Sequence, residues 1–200
     1  RRRRHGRVRR PRPRRHRPRC LPPRDGGKAA LFKQFADVDA WPVCLDVREV
    51  DEIVAVVKAI APSYGGINLE DIAAPRCFEV ERRLREELDI PVFHDDQHGT
   101  AIVVLAALEN ALAVVGKKLE EIRVVVSGVG AAGHAIIRLL LTQGVGEVVG
   151  CDRRGAVHRR REGLIGERLW LAENTNHDGR TGSMREVLAG ADVFIGVSAP

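Results

Sequence analysis

Two adjacent carboxylates, Asp95 and Asp96, stand where a short apolar stretch, Ile90-Pro-Val-Phe-His94, gives way to a long apolar one starting near Thr100. Like charges a few ångströms apart repel unless a cation or a shared proton compensates them, and a divalent metal with oxygen ligands does so. A second acidic pair, Glu70-Asp71, lies 24 residues upstream, behind the loop Ser63-Tyr-Gly-Gly-Ile-Asn68. Two acidic pairs at strand ends could therefore converge on one hard cation. The alternative is local: one aspartate caps the helix that begins near Gly99 and the other is solvated.

A second constellation is Gly128-Val-Gly130-Ala-Ala-Gly133. It follows the β-branched run Ile122-Arg-Val-Val-Val126, opens an apolar helix, and precedes a second strand that ends in Asp152, 24 residues after the first glycine. Dinucleotide binding requires that arrangement. Gly128 permits the tight turn, Gly130 lets the backbone approach a pyrophosphate, and Gly133 allows close helix packing; the helix start at Ala131 and Ala132 stabilises the phosphate charge. Asp152 is placed to bind ribose hydroxyls, which points to NAD. Arg153 and Arg154 could instead pair with a 2′-phosphate, which keeps NADP open. Ser198 follows the predicted strand Ala191–Val197, whose end should lie over the adenosine and ribose side of the cofactor. The basic run His158–Arg161 reads as a solvated loop, and His98 and His134 suit capping or core roles better than ligation.

These groups need elements to hold them. The patterning predicts a helix over Lys28–Ala36 with Ala29 and Phe32 on its apolar side, a buried strand Pro42–Asp46, and a helix Glu49–Ile60. A strand Ile67–Glu70, a charged surface helix Pro75–Leu88 and a strand Pro91–His94 follow. Strand and helix in alternation signify a parallel sheet with crossovers, whose ligands gather beyond the carboxyl ends of the strands. Thr100–Val115, apolar on most faces, should be buried between layers or domains. A short helix Arg185–Ala189 precedes the last strand. The expected class is α/β: a partial substrate- and metal-binding domain over 27–97, then a Rossmann-type dinucleotide-binding domain, incomplete at its C-terminus, over 98–200.

The 200 residues suffice for one large domain or two small ones. No uncharged apolar run reaches the roughly 18 residues of a membrane span, and no basic-then-apolar start resembles a secretory signal, so a soluble, cytoplasmic protein without a membrane partner is expected. Cys20, Cys44, Cys77 and Cys151 are scattered, which fits reduced, mostly buried thiols. The net charge of +6 is misleading, because 13 of the 33 basic residues are arginines within the first 24 positions; the remainder holds 20 basic against 27 acidic residues. Residues 1–26, nearly all Arg, Pro, His and Gly, should be disordered. Three readings of them stay open: a basic arm for a polyanion such as nucleic acid, lacking the aromatic residues that single-strand binders use; a transit peptide, though without serine; and GC-rich coding DNA read in the wrong frame, which the composition and the missing initiator methionine favour.

The blocks Gly27-Lys-Ala-Ala-Leu-Phe-Lys33, Asp37-Val-Asp39, Pro42-Val-Cys-Leu-Asp46, Asn68-Leu-Glu-Asp71, Phe93-His-Asp-Asp-Gln-His-Gly-Thr100 and Gly128–Gly133 together resemble bacterial malic enzyme over residues 27 to 200. The resemblance implies oxidation of L-malate by NAD or NADP with Mg2+ or Mn2+, then decarboxylation to pyruvate, in a homo-oligomer. It implies that Lys28 is the base for the malate hydroxyl, that Glu70, Asp71 and Asp96 ligate the metal, and that Asp95 supports the site. A lysine beside a divalent cation in a partly dry cleft has its pKa lowered, as a base near neutral pH needs. The family's tyrosine acid and malate-gripping arginine belong upstream of the lysine, where the Arg/Pro segment stands; Tyr64 is out of context, and the family's Asn-Pro segment would lie past Pro200. A chain truncated at both ends, keeping cofactor and metal contacts but lacking turnover, is therefore expected. Competing readings are an amino-acid dehydrogenase, which would not need the acidic pairs, and a polyanion binder acting through the basic tail.

Overall fold

The computed structural model describes residues 22–198, with side chains from Gly27 onward. The Arg-rich segment before Pro22, with Cys20, lies outside the described residues. Two compact units divide at residue 48.

In the first unit α1 spans Pro22–Ala36. It begins inside the stretch expected to be unstructured; proline in the first turn suits a helix start, where its missing N–H has no role. Phe35 is 79% exposed, and Lys33 reaches Asp37 and Asp39 at 2.7 and 3.1 Å. Residues 37–48 follow without regular structure, so the strand expected over Pro42–Asp46 does not form. An apolar run cannot be a strand without a neighbour to take its backbone hydrogen bonds. Cys44 is bonded in a disulfide, against the expectation of a reduced thiol, whereas Cys77 and Cys151 are free and buried. Spacing in sequence says little about which thiols the fold brings together.

The second unit opens with α2 (Val50–Ile60), which buries Ile53, Val54 and Val57, the i, i+1, i+4 positions of one face. Then come β1 (Ile67–Leu69), α3 (Arg76–Glu87) and β2 (Val92–His94), with β1 and β2 paired in parallel. This is the expected crossover unit. A five-residue π-helical turn, Asp95–Gly99, leads into α4 (Thr100–Val115), which ends at Gly116 in the left-handed region (φ +68°).

The rest is built on a four-stranded sheet, order β5-β4-β3-β6. β3 (Arg123–Ser127) and β4 (Glu147–Asp152) are joined through α5 (Ala131–Thr142) and pair in parallel; β6 (Val193–Gly196) flanks β3 on its other side, also parallel. Val124, Val125 and Val126 are wholly buried, as a strand covered on both faces requires. The pattern had not shown β5 (Gly155–Ala156), antiparallel to β4, or α6 (Gly166–Asn174). The expected helix near Arg185 is α7, Met184–Val187, held by a capping box between Ser183 and Glu186.

α4 departs from expectation. Ala101, Leu108 and Leu112 are buried, while Val103 and Val114 are 63% and 86% exposed. Its helical run Asp95–Val115, with mean hydropathy 1.7, also has the length and composition of a membrane span, although Glu109 keeps it from being an uncharged run. Core helices pass the same test, and three of its residues are core.

Candidate functional site

The acidic groups are positioned by the β1–β2 register. Leu69 pairs with His94, so the residues leaving the two strands, Glu70-Asp71 and Asp95-Asp96, emerge side by side at their carboxyl ends. The Asp71 N–H donates to Asp96 Oδ2 at 3.0 Å. Asp71 adopts φ +56°, a conformation that costs a non-glycine residue and clusters at functional sites. Glu70 Oε1 accepts from Asn68 Nδ2 at 2.9 Å. Asp95 and Asp96 also occupy the start of a long helical run, where unpaired N–H groups and the helix dipole favour negative charge.

Behind the acids lies a network that sequence reasoning missed. Glu81, on α3, is only 6% exposed; its Oε2 accepts from Gln97 Nε2 at 3.1 Å, and its Oε1 lies 2.6 Å from His98 Nε2. The signal lies in the helical spacing: Cys77, Val80, Glu81 and Leu84 share the buried face of α3, whose composition alone suggests a charged surface helix. His94 is fully buried, with neither ring nitrogen hydrogen-bonded among the described residues.

All four acids supply oxygen, the donor set of a hard divalent cation. The backbone fits such an ion, since Asp71 and Asp96 already touch across the strand ends. Among the described residues no three ligating side chains converge closely enough to hold a metal as they stand. Lys28 sits half-buried on α1 in the first unit.

The glycine loop is built as its spacing predicts. Gly128 takes φ +99°, its N–H donates to the Cys151 carbonyl at 2.9 Å, and a Cβ there would fall 2.8 Å from the Ser198 nitrogen. A Cβ on Gly133 would lie 1.7 Å from the Gly128 carbonyl oxygen, so α5 can approach the loop only with glycine there. A Cβ on Gly130 would meet nothing within 4 Å; the loop is open on that side, beside the first amides of α5 at Ala131 and Ala132. That open cradle suits a pyrophosphate. Ser198 closes the edge, its Oγ 3.3 Å from Ser127 Oγ.

Asp152 ends β4 beside this loop, and its carboxylate is engaged. Arg161 Nη2 donates at 2.8 and 2.6 Å to its two oxygens, and the Arg154 N–H donates at 2.8 Å. Burial is the largest single influence and works to raise the Asp152 pKa, but the Arg161 hydrogen bonds, the Arg154 N–H and the positive charges of Arg161 and Arg168 together outweigh it and hold the carboxyl below its ordinary range. Arg161 is thus no solvated loop residue; the β4–β5 turn folds it back, and only 6% of its side chain is exposed. The arginines at 153 and 154 are exposed. His134 lies in the core, its ring 5.3 Å from those of Phe78 and Trp170.

Residues 25–85 match the malic enzyme N-terminal domain, and residues 97–199 the malic enzyme NAD binding domain. The chain is 61% identical over 176 residues to the NAD-dependent malic enzyme of Geobacillus stearothermophilus, covering 87% of this chain and 36% of that protein. It is 46% identical over 176 residues to the NADP-dependent malic enzyme of Escherichia coli, covering 87% of this chain and 23% of the other. The crystal structure of the NAD-dependent malic enzyme from Thermotoga maritima superposes with a TM-score of 0.83 at 52% identity, over 86% of this chain and 46% of that one. The chain therefore spans less than half the length of each of these relatives.

Proposed function

This chain belongs to the malic enzyme family, and from that premise we propose that it serves the oxidative decarboxylation of L-malate to pyruvate and CO2, with NAD or NADP as hydride acceptor and Mg2+ or Mn2+ at the acidic strand ends. The observation that carries the metal-dependent part is the Asp71–Asp96 contact, which joins the two acidic pairs at one point.

Glu70, Asp71 and Asp96 would hold the cation, with Asp95 supporting them from the same turn. A divalent cation there supplies positive charge to the oxygens of a 2-hydroxy acid, where charge develops during oxidation and loss of CO2. Lys28 would take the proton of the malate hydroxyl. The first amides of α5, at Ala131 and Ala132, would bind the pyrophosphate across Gly130, and Gly128 and Gly133 keep that loop tight. Asp152 would orient the adenosine ribose and Ser198 bound it. The nicotinamide supplies the hydride acceptor. The exposed apolar residues of α4 support a homo-oligomer in which that side is covered.

Titration with Mn2+, reading free ion by electron paramagnetic resonance, tests the metal site. The wild-type chain is expected to take up one equivalent and Asp96→Asn to lose it, while both bind NADH alike. Uptake equal in the two proteins, or absent from the wild type, would remove the metal from the acidic strand ends.

A further inference from the structure

We propose that Glu81 is a positioning residue that fixes the direction of Asp95 and Asp96. The inference rests on the metal reading for its consequence, but its geometry does not. α3 carries four glutamates, and Glu79 and Glu86 lie in solvent with 47% and 59% of their side chains exposed. Glu81 keeps 8%. A carboxylate removed from water is retained only where hydrogen bonds replace its hydration. Here one oxygen accepts from Gln97 and the other meets His98, at 3.1 and 2.6 Å, so two consecutive residues are gripped by one group. The His98 ring also leans on Phe93, with centroids 5.5 Å apart, and is thus held between α3 and β2.

Gln97 and His98 belong to the π-helical turn that begins with Asp95 and Asp96. Such a turn closes its hydrogen bonds one residue further along than an α-helix and changes which way its side chains point. Pinning Gln97 and His98 toward α3 leaves Asp96 to the side of β1, where it meets the Asp71 amide, and Asp95 reaching along the turn over Gly99. Gly99 is part of the same device, since a Cβ there would fall 2.4 Å from Asp95 Oδ1. Glu81 touches none of the reacting groups. It acts through the turn, as residues behind metal ligands do when they set ligand direction.

The test uses the chain with Glu81→Leu and the near-isosteric Glu81→Gln. Hydrogen exchange at the amides of residues 97–100 should accelerate about tenfold or more in Glu81→Leu and less in Glu81→Gln, while the amides of α5 stay unchanged. The Mn2+ dissociation constant should rise about 10- to 100-fold in Glu81→Leu, with partial rescue in Glu81→Gln and NADH affinity unaltered. Exchange at 97–100 as slow as in wild type, or accelerated equally in α5, would overturn the proposal. So would unchanged Mn2+ affinity in a Glu81→Leu protein whose turn has loosened. Failure of wild-type chain to take up Mn2+ would instead overturn the metal reading, and the exchange result would still decide the positioning by Glu81.

Discussion

Asp152 and Arg161 form a two-point ion pair at 2.6 and 2.8 Å across the β4–β5 turn, with 12% and 6% of their side chains exposed. The acid that ends β4 beside the glycine loop is therefore held in its ionised form by a guanidinium nine residues downstream. The pair fixes the carboxylate's orientation, and a fixed acceptor loses less entropy when a hydrogen-bond donor binds it.

Removing one member leaves the other charged and buried. Asp152→Asn or Arg161→Met should each cost about 3 kcal/mol in urea denaturation, and the double substitution much less than their sum. Because the native Asp152 pKa is lowered, the stabilisation is present above the unfolded value near 3.8 and is lost as pH falls through the lowered native one. Equal, additive losses would show that the pair is not coupled.

Two glycines of one loop should separate stability from binding. A Cβ at position 133 would collide with the Gly128 carbonyl, whereas one at position 130 meets nothing. Gly133→Ala is expected to destabilise the chain by roughly 2 kcal/mol or more, through overpacking against backbone. Gly130→Ala should leave the melting temperature near that of wild type and weaken NADH binding at least about tenfold, by keeping the pyrophosphate off the helix start. Calorimetry of unfolding and a fluorescence titration with NADH read the two effects. Undiminished NADH affinity in Gly130→Ala would move the phosphate away from this loop.

The dinucleotide unit was legible because each of its signals is local: buried valines for β3, glycines at fixed offsets, an apolar helix, and an acid ending β4. The acid pairs were legible as strand ends for the same reason, and the β1–β2 register brings them together. What escaped depends on contacts distant in sequence. Arg161 looks like one of several loop arginines until the β4–β5 turn carries it to Asp152. Glu81 looks like one of several surface glutamates unless its place on the face of Cys77, Val80 and Leu84 is counted. Pro42–Asp46 has the composition of a strand but forms none, and α4 has the composition of a core helix but is covered on one side. Composition shows what a segment could bury; only its neighbours decide whether it does.

His134 gives the clearest pH signature. It is 2% exposed, packed between Phe78 and Trp170, and burial first, then the nearby Arg138, pushes its imidazole down from 6.5 to about 4. Glu167 Oε2 lies 3.3 Å from Nε2 but does not offset this, so the ring is neutral in the native protein near pH 7. The unfolded chain binds a proton on this histidine below about pH 6.5, while the native chain does so only near pH 4. Stability is therefore unaffected above that window and falls as pH drops through it, by roughly 2 kcal/mol at pH 5 and 3 kcal/mol in full, at about 1.4 kcal/mol per unit. His134→Phe, which keeps the aromatic packing and cannot titrate, should lose less stability than wild type between pH 7 and pH 5. Urea midpoints for both proteins at the two pH values measure that difference. Parallel losses would mean that His134 takes up its proton as readily in the folded chain as in the unfolded one.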